Sequence, residues 1–321
     1  MTDREVSRRG FLKLAALGAA SAQLTTPRAA SAVSRTKAAA VAHSADRTAA
    51  NRIADEPYVK LGVASYSLRH FSRADAIKMT NALGTRYINL KSFHLPYESS
   101  PAEIAAARQE ITAAGLEIVG GGTITFETDT DDGVRKYFEY AKAAGMPVIV
   151  CTGKPSVLPR VEKFVKQYGI KIAIHNHGPE DPDFPSPYDA LKAVKGMDPR
   201  MGLCIDIGHT VRTGTDVVRA VADAGPRLLD MHAKDLRDLK DKDSQCIVGE
   251  GKIPIPELFR QLRAIRYGGY VNLEYEIDEN EPMPGMKQSF AYMRGVLAGM
   301  TPPLAGMIPA RDATSSLNLS P

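Results

Sequence analysis

Net charge is scarce in this chain. It carries 41 Lys and Arg against 37 Asp and Glu, and five of those cations with two of the acids fall in the first 32 residues, so the remainder holds 36 against 35. A nucleic-acid surface needs a basic stripe to replace phosphate counterions, and this near-neutral balance gives such a partner no support. Cysteine is scarce too: Cys151, Cys204 and Cys246 show no metal-binding spacing, and an odd count cannot pair fully within one chain. Cys151 and Cys204 lie in apolar runs and read as small core residues. A glycine-rich phosphate turn is missing behind the first apolar run, where "SYSLRHF" stands instead, which disfavours a dinucleotide-binding doubly wound sheet. No Gly-rich or Lys/Arg cluster marks a phosphate cradle after the last two runs. What is present is a hydrophobic content of 44% over 321 residues, enough for a large core in one barrel-sized domain or two smaller ones.

The N-terminus has its own signature. "SRRGFLK", Ser7 to Lys13, leads into "FLKLAALGAASAQL", which is too short and too Ala-rich to span a bilayer, and "ASA" follows at Ala30 to Ala32. The pattern resembles a twin-arginine export signal over residues 1–32. That resemblance implies passage through the twin-arginine machinery to the periplasm or beyond. With no cysteine near the cleavage site, a lipid anchor is not expected. Residues 33–57, rich in Ala, Ser, Thr and Arg without an apolar period, read as a flexible linker, and 301–321 as a C-terminal tail.

Between them the chain repeats itself. Apolar or alternating runs start at 61, 87, 117, 147, 170, 201, 227 and 270, separated by 26, 30, 30, 23, 31, 26 and 43 residues, each the length of a strand, a helix and two loops. Helix starts are punctuated: Ser100 with Pro101 and Glu103 forms a capping box, Gly115 is a stop, and Ser186, Pro187 and Asp189 repeat the start. Eight such units predict an α/β chain folded as one (β/α)8 TIM barrel over residues 58–300.

Active groups of such barrels sit at the C-terminal ends of the strands, and the polar residues of this chain gather there. Lys91 and His94 end the second run, His175 and His177 the fifth, Asp206 and His209 the sixth, His232 and Asp235 the seventh, Glu274 and Glu276 the eighth. Strand alternation puts His175 with His177 on one face, and Asn272 with Glu274 and Glu276 on another. One side chain from each of runs five to eight can then share a centre. His175, Asp206, His232 and Glu274 make a mixed nitrogen and oxygen set suited to one divalent metal, Mn²⁺ first, with Zn²⁺, Fe²⁺ and Co²⁺ as alternatives. Lys91 is a candidate to polarise a carbonyl or act as base, with a salt bridge as the bland alternative. "GGG", Gly120 to Gly122, reads as a bulge or kink. "VGEGKIP" is a candidate lid or contact with a second copy of the chain, which leaves a homo-oligomer open, and "DLRDLKDKD" reads as a solvated loop.

At these residues the chain resembles the xylose-isomerase-like sugar isomerase/epimerase barrels, a superfamily that includes metal-dependent abasic-site endonucleases. "DIGH" supplies Asp206 and His209, "HAKD" supplies His232 and Asp235, and "NLEYE" supplies Glu274. The departure is at the fifth run, where the family commonly has E-N-H and this chain has H-N-H. The resemblance implies that His175 replaces a metal-binding glutamate and that His177 is the substrate-side histidine. It also implies that Glu274 joins the acid/base work. With the second carboxylate gone, His177, Lys91 and Glu180 are the candidate bases, and His94, His209, Asp235 and Glu276 the candidates for holding a small-molecule carbohydrate. The expected activity is metal-dependent chemistry on an unphosphorylated keto-sugar or keto-glycoside through α-proton abstraction and an enediolate: isomerisation, epimerisation or, favoured by the histidine at 175, elimination or hydration. A non-catalytic sugar-binding protein is the alternative, and an abasic-site endonuclease the least favoured.

Replacing Arg8 and Arg9 together by lysine is expected to abolish export while leaving the cytoplasmic pool intact. Normal periplasmic yield of that variant on fractionation contradicts the twin-arginine expectation.

Overall fold

In a computed structural model, residues 59–300 are described; the expected export signal, linker and tail lie outside them. Eight parallel strands close a barrel. They are β1 (Lys60–Ala64), β2 (Tyr87–Leu90), β3 (Glu117–Phe126), β4 (Val148–Gly153), β5 (Lys171–His175), β6 (Met201–Asp206), β7 (Leu228–Ala233) and β10 (Tyr270–Leu273), with β10 joining β7 back to β1. The predicted eight-unit barrel is therefore the fold. Between β7 and β10 two short strands, β8 (Asp235–Leu236) and β9 (Gln245–Cys246), form a small antiparallel ladder.

The helices form where the sequence signals them. Ser100 Oγ accepts from the Glu103 amide while Glu103 accepts from the Ser100 amide, closing the capping box of helix Pro101–Ala113. Helix Leu158–Tyr168 buries Leu158, Val161, Phe164 and Val165, the spacing of one helical face. Phe164 packs against Phe138 of helix Asp131–Ala144, ring centres 5.8 Å apart. Each such side chain removed from water contributes about 1.5–3 kcal/mol. All three cysteines are buried and unpaired by disulfide, as core residues.

The inside of the barrel is a different environment. Val148, Val150, Ala173 and Cys204 make a small apolar cluster. Beside it Asp230 on β7 accepts from Nδ2 of Asn89 and of Asn272, at 2.7 Å each, and from the Met231 amide. Burial pushes the Asp230 carboxyl up to about 6 against these donors and the neighbouring His232 and Lys91. Gly62 on β1 is what makes room, because a Cβ there would fall 2.2 Å from Asn272 Oδ1. Strand pairing shifts register between Gly121 and Ile124, so the glycine run does coincide with an irregularity.

The segment after β7 is organised by one carboxylate. Asp235 Oδ1 accepts from the amides of Leu236 and Ile253, and Oδ2 from those of Gly249 and Gly251. The acidic and basic stretch that follows it is largely exposed, as the solvated-loop reading expects. Replacing Asp235 by alanine strands buried amides and is expected to cost about 3 kcal/mol, with faster hydrogen exchange confined to Leu236 and residues 247–253. Unchanged melting and exchange would show that the segment is held by something else.

Candidate active site

Strands β5, β6, β7 and β10 deliver four ligating side chains to one point. His175 ends β5, Asp206 ends β6, His232 lies on β7, and Glu274 follows β10. One donor atom from each falls within 4.8 Å of all the others. His175 Nε2 is 2.9 Å from His232 Nδ1 and 3.6 Å from Asp206 Oδ2, and His232 Nδ1 is 3.2 Å from Glu274 Oε2. All four residues are buried.

Local geometry divides the work of each group. Asp206 caps the short helix Ile207–Arg212: its Oδ1 accepts from the His209 amide at 2.9 Å, while Asn176 accepts from the Asp206 amide. That leaves Asp206 Oδ2 facing the cluster, buried and without a well-aligned hydrogen bond. His175 presents Nε2 to the same point, and its Nδ1 is likewise buried without a partner. Burial holds the His175 ring well below its ordinary value, hence neutral, as a ligand must be. Burial pushes the Asp206 and Glu274 carboxyls up. Lys234 and His209 near the first, and His232, Lys234 and Lys91 near the second, outweigh it and hold both well below the carboxylate range.

Asp206 Oδ2, which accepts no well-aligned hydrogen bond although the Lys234 ammonium stands 3.1 Å away, two imidazole nitrogens and a second carboxylate in this spacing fit one divalent ion. Cys204 Sγ also lies within reach of the two imidazoles. Burial raises that thiol well above its usual value, and the protonated form is a poor ligand, so the four-residue set is the better fit.

The other candidate residues divide into two groups. Lys91 lies beside the cluster, its Nζ 3.4 Å from Glu274 Oε1 and 3.4 Å from His232 Nε2, so the salt bridge weighed as its bland reading is present. His177 stands over the cluster at the open end, ring centres 4.3 Å from His175 and 5.6 Å from His209. Its side chain is 36% exposed and Nδ1 is 3.3 Å from Asp181 Oδ2. Among the described residues its Nε2 has no hydrogen-bond partner. Glu276 pairs with Lys234 at 2.5 Å, and Glu180 pairs with Arg212, which also meets His209 Nδ1 at 3.1 Å.

His94 and Asp235 are placed differently. His94 Nδ1 meets Ser65 Oγ at 3.0 Å and Nε2 meets the Leu68 carbonyl at 3.1 Å, so both nitrogens are engaged within the β1 and β2 loops. Asp235 spends both oxygens on loop amides. Sequence reasoning passed over Lys234, Asp181 and Arg212. Lys234 had a legible signal, lying two residues after His232 and so on its face. Beside the cluster lies a cavity of about 350 Å³ lined by Gly208, His209, Arg212, Lys234, Gln245 and Glu276 among others, but by none of the four ligating residues. A larger groove of about 490 Å³ runs past Tyr188, Leu191, Lys195 and Arg227, at the opposite ends of the strands, and has no cluster of ligating groups.

Residues 11–296 match the xylose isomerase-like TIM barrel family, and the chain belongs to it. Among curated relatives it is 26% identical over 160 residues to an inosose dehydratase of Mesomycoplasma hyopneumoniae (strain J), covering 44% of this chain and 53% of that one. The chain thus spans about half, or less, of the length of the curated relatives it matches. Among solved structures it resembles the probable 3-DHS dehydratase involved in petrobactin synthesis from Bacillus anthracis, with a TM-score of 0.57 and 14% identity over 71% of this chain and 97% of that one. It also resembles a D-psicose 3-epimerase crystallised in the presence of D-fructose, with a TM-score of 0.56 and 17% identity over 75% and 97%. At these identities the structural likeness shows the fold alone.

A divalent ion held by the four-residue set requires that Asp206→Ala and His232→Ala each lower bound metal tenfold or more by elemental analysis, whereas His209→Asn leaves it unchanged. Full metal content in both alanine variants would assign the ion elsewhere.

Proposed function

We propose that the protein is a divalent-metal-dependent lyase of keto-sugars or keto-glycosides, removing a proton next to a ketone and expelling the oxygen one carbon further on. The observation that carries this reading is the state of the possible bases. His177 has a free Nε2 at the open end with Asp181 behind its Nδ1, while Glu180 is tied to Arg212 and Glu274 lies among His232, Lys91 and Lys234. One base with an orienting carboxylate suits elimination; inversion at carbon needs a second free group on the opposite face.

His175, Asp206, His232 and Glu274 would hold the ion, whose contribution when bound is Lewis acidity toward a substrate oxygen. The protein's own groups do the rest. Asp181 fixes the His177 ring with Nδ1 toward it, so Nε2 presents its lone pair to the α-carbon. His177 takes the proton, the C–H electrons become the new C=C bond, and the C–O bond at the β-carbon breaks. The imidazolium then returns its proton to the departing oxygen, so the same group serves as base and acid. Lys91, beside Glu274 and His232, is placed to balance negative charge building on the carbonyl side. The relatives include a dehydratase by name, and dehydration is an elimination of this kind. We further propose that the enzyme works outside the cytoplasm, as the paired arginines suggest.

Incubation with a 3-keto-glycoside and metal in D₂O, followed by NMR, is expected to release the aglycone and yield the unsaturated product. His177→Gln should lower kcat by at least a hundredfold, and Asp181→Asn by roughly tenfold. Clean inversion of the α-carbon with the glycosidic bond intact would replace the lyase reading by a two-base epimerase.

A further inference from the structure

The motifs "DIGH" and "HAKD" meet at a residue outside the metal set. Lys234 is 4% exposed, and its Nζ stands 3.1 Å from Asp206 Oδ2, 3.2 Å from Glu274 Oε2 and 2.5 Å from Glu276 Oε2. The first two oxygens are the ones that face the imidazoles of His175 and His232. The placement is built in: a Cβ on Gly208 would lie 2.6 Å from Cγ and Cδ of Lys234, so the glycine between Asp206 and His209 seats the lysine stem.

Charge counting shows what this does to metal binding. Counted formally, Asp206, Glu274 and Glu276 bring three negative charges and Lys91 and Lys234 two positive ones, an imidazole that ligates a metal adding none. The metal-free site is one charge negative, and a divalent ion with Lys234 in place makes it one charge positive. Without Lys234 the same ion would bring the site to neutrality. Buried unbalanced charge is costly, and two cations on shared oxygens repel. Glu276, with a side chain 36% exposed at the rim, offers the ammonium a partner away from the ligand oxygens.

We propose that Lys234 is a resident cation of the site that competes with the divalent ion for Asp206 and Glu274, and that its ammonium retires to Glu276 when the ion binds. The idea rests on the four-residue metal set. It makes two properties one: the lysine keeps the buried carboxylates paired when metal is absent, and it weakens the metal so that the ion remains exchangeable. The effect is one of charge and shared oxygens, independent of any change in protonation.

The test is calorimetric titration of the full chain with Mn²⁺ alone, repeated with Zn²⁺, on the wild type, Lys234→Met, Lys234→Arg and Glu276→Gln. Lys234→Met is expected to bind at least tenfold more tightly, which is about 1.4 kcal/mol. Lys234→Arg should stay as weak as the wild type or weaker, and Glu276→Gln should be weaker because the ammonium loses its second partner. Metal-free Lys234→Met should melt below the metal-free wild type and gain more in Tm from saturating Mn²⁺. If Lys234→Met is recovered only with metal bound, release to a chelator is measured instead and should be at least tenfold slower than from the wild type. Equal or weaker affinity in Lys234→Met, or equal release, overturns the proposal and leaves the metal set standing. Binding to neither protein overturns the metal set and the proposal together, whereas binding to Lys234→Met alone supports both.

Discussion

Everything at the open end of this barrel depends on ionised groups being held in a place water does not reach. Asp206 and Glu274 are buried, and a lone carboxylate there would cost far more than a folded domain can spare. The chain answers with Lys91 on one oxygen of Glu274, and with Lys234 on the other and on Asp206. Charges arranged so are costly to assemble and strongly destabilising to break singly. Such arrangements persist where they serve a site, and perturbed groups converging beside a cavity are a physical marker of one.

The scaffold is shaped by the same constraint. Parallel strands bury both faces, so their outward side chains are Ile, Val and Leu packed against helices, while the inward ones are free to be polar if they satisfy one another. Asn89 and Asn272 form part of such a layer by donating to Asp230, each keeping a buried Oδ1 without a hydrogen bond, with Gly62 giving them room. In register above it, His232 pairs across with Asp206 on one side and Asn272 on the other. Loops then finish what strands begin. The turn after β5 folds back so that Asp181, itself fixed by the amides of Asp183 and Phe184, reaches His177.

How much of this was legible follows from where periodicity applies. Eight strand-length repeats were enough for the barrel, and alternation within the strands was enough to choose His175, Asp206, His232 and Glu274, which the fold brings together. The rule that barrel sites lie beyond strand ends gives location without direction. His94, four residues past the end of β2, turns back onto Ser65 and Leu68, and Asp235, two past β7, turns into the loop. Lys234 lies on the face of His232, but an ammonium is not a metal ligand, so the chemistry of the donor set does not single it out. Asp181 and Arg212 meet their partners through irregular turns whose path no spacing rule encodes, and the β8–β9 ladder is too short for an alternating pattern to show.

The central claim is that one buried point in this barrel holds a divalent ion between His175, Asp206, His232 and Glu274. Crystals grown or soaked with Mn²⁺ and measured at an energy where manganese scatters anomalously test it most directly. The account predicts one strong anomalous peak within bonding distance of the four donor atoms. A peak held by Cys204 with the two histidines, or no peak inside the barrel from a fully folded protein in saturating metal, would contradict it.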